Sequence, residues 1–406
     1  MRLLTFSTLY PNSIQTGHGS FVETRLCKLV ETGKVESQVV APVPWFPRSA
    51  PFDHPRFGRY RDLARVPEVE QRHGLSVHHP RYPLVPKIGM SLAPLAMALS
   101  ARTTISRIID AGYDFDAIDA HYFYPHGVAA AWLGRRFGRP VVITARGSDI
   151  NLLPQHALPR RMIQWAAREA AALITVSRPL KDRLVELGVP AGKITVLRNG
   201  VDLAAFRPAP RDEARSELAI RVEADFSAKS TRVLASVGNL VPLKGHDLVI
   251  EAIAQLPGVH LVVAGSGPER DRLAALARRL GVADRVHFLG LVPKADLPAV
   301  YGAVDALVLA SSREGWPNVL LEAMACGTPA IATDVGGSGE VVAAPEAGLL
   351  IKERSPATIT AAVRQLLDSP PPREATRRYA EGFSWDETSR GQVELFGAAI
   401  ARRRMR

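Results

Sequence analysis

The sequence predicts an α/β protein of two doubly wound domains facing a cleft, and three observations carry that prediction. Short β-rich runs alternate with stretches of helical spacing through both halves, the pattern of parallel sheets covered by helices. A turn-rich polar stretch, "NGVDLAAFRPAPRDEARSELAIR", separates the two series near residues 200–210. A chain of 406 residues also exceeds one ordinary core, since domains run to roughly 100–200 residues each. The expected units are therefore 1–203 and 204–385, closed by a segment 386–406.

The first series opens with the β-rich "RLLTFSTLYP" and "SQVVAPVP". Between them lies "SFVETRLCKLVETGK", where Phe21, Leu26, Leu29 and Val30 keep helical spacing, so the start reads β-α-β. "FDAIDAHYFYP", "PVVITARGSD" and "AALITVS" are further strands, alternating with the helical "GVAAAWLGRRFG" and "PRRMIQWAAREAA". The second series runs through "TRVLASVGNL", "GVHLVVAGSGPE", "RVHFLG", "DALVLASS", "PAIATD" and "AGLLI", again with helices between. Ligands of such sheets bind beyond the carboxyl ends of the strands, so the loops after strands are where chemistry is expected. Residues 43–110 break the regularity with mixed Pro, Arg and aromatics, followed by an apolar stretch. Two readings stand for them: a basic amphipathic insert facing a membrane or an acceptor, or a Pro-rich excursion whose aromatics pack on the domain.

A net charge of +11 draws the surface toward something anionic: nucleic acid, phosphorylated small molecules or the cytoplasmic face of a membrane. Nucleic acid is the least favoured, because Lys and Arg are scattered and no recognition module appears. Two cysteines, Cys27 and Cys326, give neither a disulfide framework nor metal-ligand spacing. "MRLLTFSTLYPN" is too brief and polar for a secretory segment, and no run reaches 18 apolar residues. The expected location is the cytoplasm, with access to the inner face of the cytoplasmic membrane.

The stretch "SSREGWPNVLLEAMACGTPA" carries two glutamates in otherwise almost uncharged surroundings. Pro317 suits the first turn of a helix, Gly327 its C′ position, and Pro329 lies past its end, which predicts a helix over about 317–326. Glu314 then sits in the loop after a strand, and Glu322 in mid-helix among apolar neighbours. A buried carboxylate costs several kcal/mol unless satisfied, by an Arg or Lys from elsewhere or by ligand hydroxyls. The amides near Asn318 and Val319, at the same helix start, form a ready anion site.

"EGWPNVLLEAMACGTPAIATDVGGSGEVV" resembles the E-x7-E region of the retaining GT-B glycosyltransferases of family 4, which use nucleotide sugars. "VLRNGVDLAAFRP", "VGNLVPLKGHDLVIEAI", "AGSGPERDRL" and "VHFLGLVPKADLPAVY" resemble further stations of that family in the same order. The resemblance implies two Rossmann-like domains, with the donor held mainly by the second. It implies that Glu322 binds the ribose, Glu314 the hydroxyls of the transferred sugar, and Lys244 the donor diphosphate. Gly238, Gly265, Gly315 and Pro317 fall in the donor site by the same likeness, and the backbone from Leu291 through Val292 to Pro293 meets the base. The family commonly has an Arg five residues before the Lys, where this chain has Asn239, so the expected phosphate clamp is weaker.

In the N-terminal half, "FDAIDAHYFYPHGVAAA" resembles a family segment that puts His121 at an active-site position. "GHGSFVE" takes the place of a glycine pair, Gly17 and Gly19, that lets backbone approach substrate. In "ITARGSD", Arg146 stands where a His is usual; it contacts an anionic acceptor or the donor diphosphate, or else forms a buried ion pair with Asp149. "ITARGSDINLLP" with "LYPNS…HGSFVE" looks closest to teichuronic acid and exopolysaccharide glycosyltransferases.

The resemblance implies transfer of a UDP- or GDP-linked sugar to a hydroxyl of a lipid-linked glycan, with retention and no cofactor. No metal is expected, since helix amides and Lys244 neutralise the leaving diphosphate. The terminal "FSWDETSRGQVELFGAAIARRR" resembles the family's last helix, which crosses back to the first domain. The alternatives are another sugar-nucleotide enzyme of this fold, an epimerase, a phosphorylase or a sucrose-type synthase, and a non-catalytic two-lobed sugar-binding protein.

Overall fold

The computed structural model describes residues 1–45, 62–83, 89–226 and 231–405. Of the irregular excursion at 43–110, residues 46–61 and 84–88 lie outside the described residues. The chain divides into two compact units, Met1–Arg198 with Asp386–Arg406, and Asn199–Trp385.

The first unit holds the strands β1 (Arg2–Phe6), β2 (Glu36–Val40), β3 (Val43–Trp45), β4 (Val69–Arg72), β5 (Leu75–His78), β6 (Arg81–Pro83), β7 (Ala117–His121), β8 (Val141–Ala145), β9 (Ala172–Thr175) and β10 (Ile194–Val196). Its main sheet runs β10-β9-β8-β7-β1-β2-β5-β4, parallel except for β4 against β5. β7 and β8 are buried at every position, as strands covered by helices on both faces must be. β4 and β5 form a hairpin at His73 and Gly74, both at positive φ, a turn whose twist matches its strands. This hairpin, the β3–β6 pair and the helix Gly89–Asp110 give the described part of the excursion regular structure that the proline-rich sequence concealed.

The helix Trp385–Arg404 adds Phe396 and Ala399 to the same core as Leu3, Val142 and Ile174. The boundary falls at 198/199 instead of 203/204 because the intervening residues are tied to the second unit. Val201 N–H donates to Phe383 O at 2.9 Å, and Arg377 donates to the carbonyls of Leu203 and Phe206.

The second unit has β11 (Arg232–Val237), β12 (Val259–Ala264), β13 (Val286–Gly290), β14 (Ala306–Leu309), β15 (Ala330–Thr333) and β16 (Gly348–Ile351). The order is β13-β12-β11-β14-β15-β16, all parallel, so strand order reverses between β11 and β14. In the first unit the reversal lies between β1 and β7. A crevice opens where two adjacent strands send their chains to opposite sides, and its mouth lies beyond their carboxyl ends. Each unit thus directs attention to two loops: those after β11 and β14, and those after β1 and β7.

Candidate active site

In the second unit the loop after β11 carries Gly238, Asn239 and Lys244, and the loop after β14 carries Ser311 and Glu314. Lys244 Nζ donates to Glu314 Oε1 at 2.7 Å, and Ser311 Oγ donates to the same oxygen at 2.6 Å. Both bonds fall on Oε1. Their side chains are 21% and 10% exposed, so the pair is only partly screened by water.

Close backbone approaches set this geometry. Gly265 has φ +150° and a side chain there would meet Gly238 O at 1.8 Å, which locks the loops after β11 and β12 together. Gly245, at φ +69°, passes so near Ala310 O that a Cβ would sit 2.2 Å away. His246 fixes the loop between these glycines. Its Nε2–H donates to Asn239 O at 3.2 Å while Nδ1 accepts from Ser236 at 2.8 Å, and burial lowers its pKa. Beside this loop Arg354 donates to Ala310 O at 2.7 Å and to Pro242 O at 3.4 Å. That guanidinium braces the two loops.

The helix spans Asn318–Ala325, with Pro317 at its N-cap and not in its first turn. Gly327 ends it at φ +79°, with Thr328 N–H reaching back to Ala323 O at 2.9 Å, the closure expected of a C′ glycine. Of the two amides expected at the anion site, that of Asn318 is turned to Trp316 O at 3.1 Å, so Val319 is next in line. Asn318 Oδ1 accepts from Asn199 at 3.1 Å. Gly315 is half-buried.

Glu322 is half-buried, not enclosed on all sides. Its Oε2 accepts from the Tyr301 hydroxyl at 3.1 Å, a neutral donor where an Arg or Lys was the structural expectation. Burial raises its pKa, and Lys294 acts against this at longer range. After β13 Leu291 is 67% exposed while Val292 is buried, leaving an apolar side chain in solvent ahead of Pro293.

In the first unit, Gly19 and Gly17 behave differently. A Cβ on Gly19, at φ +72°, would meet Leu9 C at 2.2 Å, whereas one on Gly17 would meet nothing within 4 Å. Gly17 is exposed and its identity is not required by space.

His121, at the end of β7, is fully buried with both ring nitrogens engaged. Arg146 Nη2 donates to Nδ1 at 2.6 Å, so Nε2 carries the proton and donates to Asp119 Oδ2 at 3.0 Å. Desolvation lowers its pKa to about 4, which keeps the ring neutral. A catalytic contact through His121 itself finds no exposed ring atom. The imidazole instead links Asp119 to Arg146.

Arg146 is not paired with Asp149 through its guanidinium. The Asp149 carboxylate accepts from the amides of Phe123, Arg146 and Gly147, with the shortest bonds at 2.7 Å. Burial moves both groups toward neutrality, raising Asp149 and lowering Arg146 to about 10. Behind them Arg25 is fully buried, donating to Leu197 O at 3.0 Å.

His126 is a second buried, neutral imidazole with its pKa near 4, again from desolvation. Its Nδ1–H donates to His121 O at 2.9 Å, so its Nε2 accepts the Thr8 hydroxyl at 2.7 Å. Thr8, Phe21, Tyr122, His126 and Arg146 help line a cavity of about 530 Å³ at the carboxyl ends of β1, β7 and β8.

Sequence reasoning missed Ser311, Tyr301, Asp119, His126 and Gly336. Gly336, at φ +54°, leaves no room for a Cβ because Glu314 O would be 1.8 Å from it. The alternation Asp119-Ala120-His121 was a legible signal, since positions i and i+2 of a strand share a face.

Among the described residues no group of three or more His, Cys, Asp or Glu could hold a metal ion. Among the described residues no helix is long and apolar enough to cross a membrane.

The model of group 1 glycosyl transferases matches residues 222–383 and that of glycosyltransferase family 4 matches residues 37–205. The D-inositol 3-phosphate glycosyltransferase of Salinispora tropica is 31% identical over 368 residues, 84% of this chain and 75% of that protein. Its counterpart from Mycobacterium marinum is 34% identical over 310 residues, 70% of this chain and 64% of its own length. Sucrose-phosphate synthase of Thermosynechococcus elongatus shares the fold, with a TM-score of 0.78 at 19% identity over 99% of both chains. Anabaena HepE in complex with UDP gives 0.71 at 20% identity, over 98% of this chain and 100% of that one. With two Rossmann-like α/β units and these matches, the chain belongs to the GT-B glycosyltransferases of family 4, group 1.

Proposed function

We propose that the protein transfers a sugar, with retention, from a UDP- or GDP-linked donor to a hydroxyl of a lipid-linked glycan in cell-surface or exopolysaccharide synthesis. The observation that carries this reading is the Lys244–Glu314 pair at the strand-order reversal of the second unit. Lys244 has two donors beyond the one given to Glu314, and with the Val319 amide they meet the leaving diphosphate. Glu314 orients the sugar through Oε2, Glu322 takes the ribose hydroxyls, and the chain from Leu291 to Pro293 covers the base. The leaving phosphate assists attack on one face, so Glu314 positions the sugar and is not a base. No cofactor or metal takes part in this scheme.

The test is a panel of UDP-, GDP- and ADP-sugars followed by calorimetry and slow hydrolysis, with EDTA present and absent. One nucleotide class is expected to bind and turn over equally in both conditions, and the product anomer is expected to match the donor by NMR. Failure of every nucleotide sugar to bind would end the proposal.

The lipid-linked acceptor is supported by the helix Gly89–Asp110. Leu92, Leu95 and Leu99, 53%, 47% and 54% exposed, form an apolar ridge, while Met97 on the same helix helps line the cavity. Arg102 and Arg107 are exposed beyond the ridge, and no acid precedes Asp110. Such a face suits the anionic inner surface of the cytoplasmic membrane. Vesicles with phosphatidylglycerol are expected to float the protein and neutral ones to leave it behind; equal partition counts against membrane contact.

A second reading, favoured by the names of the relatives, is a phosphorylated cyclitol as acceptor.

A further inference from the structure

We infer that the first unit carries a second ligand site, at the opposite edge of its sheet from the cavity lined by Thr8 and His126, and that this site binds a phosphate group bearing two or more negative charges. The inference goes beyond the transfer reading and uses none of the residues assigned to it.

A cavity of about 480 Å³ opens where Pro140 leads into β8 and Ala171 into β9, at the amino ends of both strands. Three helices end around it: Val128–Phe137, Ala157–Glu169 and Trp385–Arg404. Arg135, Arg139, Arg168, Lys193, Arg402 and Arg403 line it, against a single acid among the described residues, Glu169.

The simplest account of such a cluster is helix capping, because cations are favoured at helix carboxyl ends. Part of the cluster does cap. Arg403 Nε donates to Gly138 O at 3.3 Å, and Lys193 Nζ donates to Arg168 O at 2.8 Å. Arg139 is paired with Asp114, and Arg135 lies 3.8 Å from Glu169. Capping does not account for the whole charge, however. A helix end supplies about half a negative charge, so the three ends with Asp114 and Glu169 balance only about three or four of the six cations. Roughly two positive charges are left over.

The surplus sits where a ligand can reach it. Among the described residues the guanidinium groups of Arg168 and Arg402, both exposed, have no hydrogen-bonded or ion-paired partner. Burial lowers the Lys193 pKa, so an anion at its two remaining N–H donors would favour the charged form. Backbone packing sets the walls in advance. Gly134 presses its helix so close to β8 that a Cβ would stand 2.3 Å from Val141 Cγ2, and Arg403 Nη2 lies 3.7 Å from the place of a Cβ on Gly138. The planar forks of two arginines each match a pair of phosphate oxygens, with Lys193 as a point charge between helix ends. Such a phosphate comes either from a dissolved metabolite or from a lipid headgroup.

The test is calorimetry of pyrophosphate binding to the full chain at about 0.15 M ionic strength, then sedimentation with phosphatidylcholine vesicles with and without phosphatidic acid. Arg168→Gln with Arg402→Gln is expected to weaken pyrophosphate about tenfold or more. Arg278→Gln with Arg279→Gln removes the same charge from the exposed face of a helix in the second unit and is expected to change affinity less than about twofold. Lys244→Ala, which removes a cation from the donor loop, is expected to leave this binding event in place. All four arginines are exposed, so both pairs are expected to fold. Vesicles that retain wild type and the Arg168/Arg402 variant alike, beside weakened pyrophosphate binding, assign the site to a dissolved phosphate. Phosphatidic acid vesicles that retain wild type and release that variant assign it to a headgroup. UDP affinity, measured alongside, reports on the donor reading separately: a chain that binds no UDP fails that reading and leaves this test intact. Unchanged pyrophosphate affinity and vesicle retention in the Arg168/Arg402 variant overturn the proposal. So does an equal loss in both arginine pairs, which is diffuse charge, or a loss confined to Lys244→Ala, which places the anion on the donor loop.

Discussion

Replacing Lys244 by alanine is expected to lower turnover about 10²–10³-fold, the loss seen when one preorganised donor facing a developing anion is removed. The ammonium is already in position without a ligand, 2.7 Å from Glu314, so little reorganisation opposes it when charge builds on the diphosphate. The variant has a structural cost as well, since Glu314 is left with Ser311 as its hydrogen-bonded partner. A double-mutant cycle separates the two roles. If Lys244 only held Glu314, adding Lys244→Ala to Glu314→Gln would change nothing. A direct role with the diphosphate predicts a further loss of roughly 30-fold or more, read as kcat with the nucleotide sugar that binds. A silent second substitution would remove Lys244 from the chemistry.

Acidification is expected to loosen the first unit. His121 and His126 have folded pKa values of about 4 against an ordinary 6.5, each lowered chiefly by burial. Between those values the unfolded chain binds more protons than the folded one. Stability is thus full above pH 6.5 and is lost as pH falls toward 4. The shift corresponds to on the order of 3 kcal/mol per histidine, and the sum is an upper bound because the two rings are linked through His121 O. Asp149, raised by burial, works in the opposite direction and offsets part of the loss. Hydrogen-exchange protection in β7 and β8 is expected to fall steeply over this window, and less steeply in His126→Asn. Protection that stays level from pH 6.5 to 4.5 would show that these imidazoles are not held neutral by the fold.

The six strands of the second unit each lie inside a run that the sequence marked as β, because a strand covered on both faces reads as a short apolar block between turns. The hairpin of β4 and β5 was not legible. Val69–Arg72 alternates half-buried and exposed positions, so no apolar block announces it. Local chemistry carried the helix of Glu322 nearly to its observed ends, since Pro317 and Gly327 are punctuation that acts within a turn or two. The same reasoning made the environment of Glu322 too apolar, because Tyr301, its partner, comes from another helix.

The distinction is one of range. Element type, the two-unit division and the motif loops follow from periodicity and from residues with restricted backbones, and these are properties of neighbouring positions. Which polar groups meet depends on strand order, and strand order is decided by how whole sheets are wound. It brings Lys244 to Glu314 across 70 residues and Arg146 to His121 across 25. It also turns Asp149 onto backbone amides and buries His121, so only the tertiary structure set an Asp119–His121–Arg146 line in place of an Arg146–Asp149 pair, one of the alternatives the sequence left open.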